Sequence, residues 1–85
     1  MRHILYFTAD WCNPCKRVRP IAEELDRENV IKFQFIDVDD SGDLSRKFEI
    51  KAIPTFILME DGKELRRING AKTREQLEDF INGSN

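Results

Sequence analysis

Cys12 and Cys15 are the only cysteines of the chain, and Asn13 and Pro14 separate them. Two thiols three residues apart on a helix lie about one turn from each other, so their sulfurs can meet. That spacing suits thiol-disulfide exchange: one thiolate attacks a substrate disulfide, a mixed disulfide forms, and the second cysteine displaces the reduced substrate. Cys12 stands where an apolar run gives way to a helical pattern. Unpaired backbone N–H groups and the positive end of the helix dipole would therefore face its sulfur. Such positions lower a cysteine pKa below its ordinary value of about 8.5, and the thiolate is the attacking species. Cys12 is the expected nucleophile and Cys15 the expected resolving cysteine. Pro14 lacks an N–H and presets the backbone at the helix start, which holds the dithiol turn rigid, while Asn13 adds a polar side chain.

Other readings of the same residues are weaker. A C-x-x-C pair could be half of a zinc site, but His3 is the only further soft ligand and a closed site needs about four, so no metal is expected. Ordinary buried thiols would not need a strand before, Pro14 within and a helix after. Asp37, Asp39, Asp40 and Asp43 lack the Gly and Glu spacing of an EF-hand loop and read as a wet loop and helix start. Lys16, Arg17 and Arg19 read as a solvated helix face whose cations would also favour a thiolate at Cys12. Trp11 could be a core aromatic, yet its place beside Cys12 favours the rim of a site. His3 has no assigned role.

The flanking patterns supply the elements that would position this pair. Ile4 to Phe7 is a continuous apolar run, as in a central strand covered on both faces. Val18, Ile21, Ala22 and Leu25 mark an amphipathic helix over about residues 13–28, with Pro20 expected to kink it. Ile31, Phe33 and Phe35 alternate with Lys32 and Gln34, a strand with one wet side, and Val38 leads to a turn over Asp39 to Gly42. If that strand lies at an edge, Lys32 and Gln34 discourage edge-to-edge association. The long crossover makes the two strands parallel. Leu44 and Phe48, behind Asp40 and Ser41, support a short helix. Thr55 to Met59 and Glu64 to Ile68 flank Asp61-Gly62 as an antiparallel hairpin. Thr73 and Gln76 form a capping-box pair before Leu77, Phe80 and Ile81, and Gly83 is the stop. The expected fold class is α/β, in the order βαβαββα, with a mixed four-stranded sheet between helices on both faces.

A chain of 85 residues buries only about 60–65% of its unfolded surface, which supports one core, so residues 1–85 are expected to form a single domain. The net charge of −2, with Lys and Arg mixed among Asp and Glu, offers no basic surplus for nucleic acid. No apolar stretch is long enough for a membrane span, and Thr8, Asp10 and Asn13 interrupt the N-terminal run before a secretory signal could form. A redox pair without a signal fits a reducing, cytoplasmic setting.

Ala9-Asp10-Trp11-Cys12-Asn13-Pro14-Cys15-Lys16, followed by Pro20, resembles the active site of the thioredoxin family, whose usual spacer is Gly-Pro. The resemblance extends through Ile53-Pro54-Thr55, similar to the family's cis-proline loop, and Asn69-Gly70-Ala71, similar to its late glycine turn. It implies a thioredoxin-like three-layer sandwich and a monomeric protein-disulfide reductase. The domain would need no cofactor beyond the Cys12–Cys15 disulfide. A flavin-dependent, NADPH-consuming thioredoxin reductase would recharge it. It further implies that the Ile53-Pro54 bond is cis and lies beside the cysteines. Trp11, Pro14, Ile53, Pro54, Gly70 and Ala71 would form a docking patch for disulfide-containing proteins, with Ile53 backbone groups pairing to an extended substrate. Asn13, Pro14 and Lys16 would support the active site.

By the same resemblance the chain starts at the family's active-site strand, without a leading strand and helix, a trimming shared with glutaredoxins. Tyr6 stands where the family usually has a buried aspartate, a proposed proton acceptor for the second cysteine. Phe35 stands in place of the lysine that partners it. Two other functions are compatible with the residues: a glutaredoxin-like reductase recharged by glutathione, and a binding module whose dithiol is dispensable.

Overall fold

The structure is a computed structural model that describes residues 1–83. The unbroken apolar run at the start of the chain has both its faces covered, because it becomes an interior strand. β1 (Arg2–Thr8) is followed by α1 (Asn13–Arg27), β2 (Lys32–Asp37), α2 (Gly42–Lys47), β3 (Thr55–Glu60), β4 (Lys63–Asn69) and α3 (Arg74–Asn82). The strands form one sheet in the order β2-β1-β3-β4. β1 runs parallel to β2 and antiparallel to β3, and β3 pairs antiparallel with β4 through the two-residue turn Asp61-Gly62. This is the expected mixed four-stranded α/β sandwich.

Side-chain alternation on the strands separates two cores. Ile4, Tyr6, Phe33, Phe56 and Leu58 face α1 and α3, which bury Val18, Ala22, Leu25, Leu77, Phe80 and Ile81 against them. Leu5, Phe7, Ile36, Ile57 and Met59 face the other way, where Leu44 and Phe48 pack. Helices thus cover both faces. The capping box of Thr73 and Gln76 starts α3, and Gly83, at φ 78°, ends it in the left-handed region.

Several boundaries differ from the sequence reading. Ile31 and Val38 lie just outside β2, because the parallel register with β1 begins at His3–Lys32 and ends at Thr8–Asp37. Gly42 belongs to α2, not to the preceding turn, and Ser41 caps that helix without a side-chain hydrogen bond. α2 contains no fully buried residue, so Leu44 and Phe48 rest on the sheet half-exposed. β4 pairs with β3 across a bulge between Leu58 and Met59.

Polar ties fix the helices to the sheet and to each other. The Asp26 carboxylate accepts the N–H of Phe33 at 2.9 Å, linking the end of α1 to the start of β2. Arg74, at the start of α3, pairs with Glu24 of α1, with Glu28 at that helix's C-terminal cap and with Glu78 of its own helix. α1, which carries the two cysteines, is therefore anchored at its far end as well as along its apolar face.

Candidate active site

The site forms where β1 runs out and α1 begins. After Thr8 the chain turns through Ala9, whose carbonyl accepts the N–H of Cys12 at 3.2 Å. Cys12 caps α1 in extended conformation (φ −89°, ψ 111°), and Pro14 occupies the first turn. The N–H of Cys15 donates to Cys12 Sγ at 3.2 Å. One of the free N–H groups at the helix terminus is thus aimed at the first sulfur, as anion binding there requires. No acidic side chain occupies the first turn of α1, so nothing within it opposes a negative charge on Cys12.

Cys12 and Cys15 form a disulfide with their Cα atoms 5.2 Å apart. Cys15 is the more enclosed of the two, with 1% of its surface exposed against 5% for Cys12. Both sulfurs lie in a small apolar cluster with Ala9, Val38 and Ile53. Asn13 and Lys16 are exposed on the first turn of α1, and Pro14 is half-buried.

A second loop closes over the pair. The Ile53-Pro54 bond is cis, and the Ile53 carbonyl oxygen lies 3.9 Å from Cys12 Sγ. The Thr55 hydroxyl donates to the Ala52 carbonyl at 2.6 Å, tightening this loop at its exit into β3. The N–H of Gly70 donates to the Pro54 carbonyl at 2.8 Å. Gly70 adopts φ +90°, a region costly for side-chain-bearing residues, so glycine suits this turn. The structure therefore brings Ile53 beside the cysteines and Gly70 beside Pro54, with exposed Ala71 following.

Trp11 projects from the rim with 66% of its surface exposed, which excludes the core reading. Its indole N–H donates to the Asp39 carboxylate at 2.8 Å. A shallow groove of about 180 Å³ runs beside it, lined by Trp11, Val38, Ser45, Ile50, Lys51, Ala52 and Ile53. Asp39 and Val38 were not predicted as site residues, because an acidic turn looks the same in sequence whether or not it faces an indole. Among the described residues no group of three His, Cys, Asp or Glu side chains could hold a metal, and no helix is long and apolar enough to cross a membrane.

Tyr6 is wholly buried. Its hydroxyl donates to the Cys15 carbonyl at 3.2 Å. Burial pushes the phenol pKa up, which the Thr8 side chain opposes in part. The second cysteine thus has a neutral hydroxyl near its backbone.

The architecture and the site can be set beside known proteins. A family model described as Thioredoxin matches residues 1–83. Thioredoxin H2 of Arabidopsis thaliana is 40% identical over 76 residues, covering 88% of this chain and 56% of its own length. A Mycobacterium leprae protein named bifunctional thioredoxin reductase/thioredoxin is 40% identical over 73 residues, covering 84% of this chain and 16% of its own. The X-ray structure of Fasciola hepatica thioredoxin superposes with a TM-score of 0.89 at 33% identity, over 99% of this chain and 81% of that one. The chain therefore spans little more than half of the plant relative, and the shared part contains the dithiol turn and the cis-proline loop. A family model that runs from the first strand to the end of the last helix, over a fold that superposes this closely, places the chain in the thioredoxin family.

Proposed function

We propose that this protein is a thiol-disulfide oxidoreductase that reduces protein disulfides through Cys12 and Cys15. The observation that carries the reading is the Cys12–Cys15 disulfide at the start of α1, with the Cys15 N–H directed at Cys12 Sγ. In the reduced protein the Cys12 thiolate attacks one sulfur of a substrate disulfide. A Cys12–substrate bond forms, and the first substrate sulfur leaves as a thiolate that takes up a proton. The Cys15 thiolate then attacks Cys12 Sγ, forming the Cys12–Cys15 bond and releasing the second substrate thiolate. Two electrons pass from the dithiol to the substrate, and the protein leaves oxidised.

Trp11, Pro14, Ile53, Pro54, Gly70 and Ala71 serve as the docking patch, with Asn13, Pro14 and Lys16 supporting the dithiol turn. Backbone groups of Ile53 offer main-chain pairing to an extended segment of the substrate, which gives affinity with little dependence on side chains. The domain works as a cytoplasmic monomer over residues 1–85 and needs no cofactor beyond its dithiol. A flavin-dependent, NADPH-consuming thioredoxin reductase recharges it, a pairing supported by the relative named as a reductase/thioredoxin.

The test is trapping with Cys15→Ser. Without the resolving sulfur, mixed disulfides through Cys12 should accumulate and be released by added dithiol. Recovery of no covalent partner, or equal recovery with Cys12→Ser, would reject the mechanism. Supplying thioredoxin reductase with NADPH, or glutathione, in separate turnover assays identifies the recharging system.

A further inference from the structure

Tyr6 is the only tyrosine of the chain, and two aromatic contacts and one hydrogen bond hold it. Its ring stacks on Phe56 at 4.8 Å with 5° between the planes, and Phe35 meets it edge-on at 5.6 Å. Phe33 in turn stacks against Phe35 at 6.0 Å. The Arg19 guanidinium covers the Phe35 ring at 5.1 Å and pairs with Glu23 at 3.2 Å. With no exposed surface, the phenol has little rotational freedom, and its hydroxyl donates to the Cys15 carbonyl at 3.2 Å.

That carbonyl sits next to a gap in the helix ladder. In an α-helix each carbonyl accepts from the N–H four residues on. Pro20 lies inside α1 and has no N–H, so the carbonyl of Lys16 lacks its usual donor. The first turn, which carries both cysteines, is thus joined to the rest of α1 by one rung fewer. The Tyr6 hydroxyl binds the adjacent rung from the sheet side.

We propose that Tyr6 is a positioning residue for the resolving step: by tying the Cys15 carbonyl to β1, it keeps Cys15 Sγ within reach of Cys12 Sγ while Cys12 is bonded to substrate. This rests on the dithiol mechanism above. In the resting disulfide the bond between the sulfurs holds the pair together. In the mixed disulfide that bond is absent, and only the backbone keeps Cys15 in place. The Cys15 thiolate, having lost its proton to water, must then approach along the axis of the Cys12–substrate bond. That bond breaks with its electron pair on the substrate sulfur, which takes a proton from water. Small losses of alignment reduce such intramolecular rates strongly. The first step needs no such alignment, because Cys12 attacks alone.

A symmetrical nitroaromatic disulfide, whose released thiolate absorbs visible light, separates the two steps in a stopped-flow experiment on the reduced full chain. Cys12 attack releases the first thiolate at a rate proportional to probe concentration, and Cys15 attack releases the second at a rate independent of it. Tyr6→Phe keeps the ring contacts and removes only the hydroxyl. It should slow the second phase about five- to tenfold, the scale of one lost hydrogen bond, and leave the first within about twofold. Equal slowing of both phases, or no change in either, would overturn the positioning role. Release of only one thiolate per molecule of the unsubstituted protein would instead reject the dithiol mechanism, and this inference with it. If Tyr6→Phe fails to fold, 3-fluorotyrosine incorporated at this single site supplies a more acidic donor. It should speed the second phase alone, and an unchanged second phase would count against the proposal.

Discussion

The indole N–H of Trp11 donates to the carboxylate of Asp39 at 2.8 Å, joining the residue before Cys12 to the loop that leaves β2. The two are 28 residues apart in sequence, and Trp11 and Val38, the neighbour of Asp39, both line the shallow groove. Without that bond an indole with 66% of its surface exposed has few contacts to hold its orientation. A rigid indole face is an entropic advantage in docking, because fewer rotamers are lost when a partner covers it.

Asp39→Ala should therefore loosen Trp11 and weaken docking without touching the chemistry. KM for a protein disulfide should rise about threefold, a hydrogen bond to a charged group discounted for its exposure. Release of the first thiolate from a small aromatic disulfide should stay unchanged. Trp11 is the only tryptophan, so its fluorescence anisotropy decay reads the motion directly. An unaltered decay would show that Asp39 does not hold the indole.

The two cysteines should differ in reactivity once reduced. Cys12 caps the helix, receives the Cys15 N–H and is the less enclosed sulfur. With limiting iodoacetamide near neutral pH, Cys12 should be alkylated about tenfold faster than Cys15, since thiolate character and access both favour it. Peptide mapping of the singly modified protein checks this. Modification of Cys15 first would reverse the assigned roles.

Much of this geometry was legible from residue types and spacing, and the unreadable part has a common cause. The run Ile4 to Phe7 suited a strand covered on both faces, and Pro14 followed by Val18, Ile21, Ala22 and Leu25 marked a helix. The pair Thr73 and Gln76 announced α3 through local hydrogen bonds that depend on four residues alone. Local signals of this kind survive in sequence. The Trp11–Asp39 bond and the Tyr6 anchor on Cys15 depend instead on which turn the sheet brings beside which helix. Asp39 as a wet turn and Tyr6 within a covered central strand were correct as far as composition reaches. The closeness of Ile53 to Cys12 was expected only through family resemblance, since 41 residues separate them and neither residue type encodes the other. The end of β2 was misplaced for a similar reason: Val38 continues the apolar pattern, but the strand ends where β1 ends beside it.

Gly70→Ala tests the second loop. An added Cβ would meet only Lys72 Nζ, at 3.9 Å, so steric conflict with neighbours is not the obstacle. The obstacle is the backbone at φ +90°, where an L side chain is disfavoured by roughly 1–2 kcal/mol. The chain can relieve that strain by rotating the peptide, which would break the Gly70 N–H bond to the Pro54 carbonyl. The expected result is a lower urea midpoint together with weaker binding of protein substrates. Unchanged stability would mean that the turn accommodates alanine and that glycine there has another purpose.

Glu64 gives a prediction whose sign depends on pH. Arg67 donates through Nε and a terminal nitrogen to both Glu64 carboxylate oxygens at 2.6 Å, and its other terminal nitrogen reaches the Phe48 carbonyl at 2.9 Å. The fork thus links β4 to the end of α2. These hydrogen bonds hold the Glu64 carboxyl below its ordinary value of 4.5, with burial opposing in part. A depressed folded-state pKa means that the stabilisation is complete above the unfolded value and is lost as pH falls through the folded one. Glu64→Gln should lower stability near neutral pH by about 0.5 kcal/mol, the scale of a partly exposed ion pair. Below pH 4.5 the two proteins should converge, because Glu64 protonates in the original and cannot in the variant. Urea unfolding of both across that range measures the difference directly. A gap that stays constant from neutral to acid pH would show that Glu64 acts through packing and not through its charge.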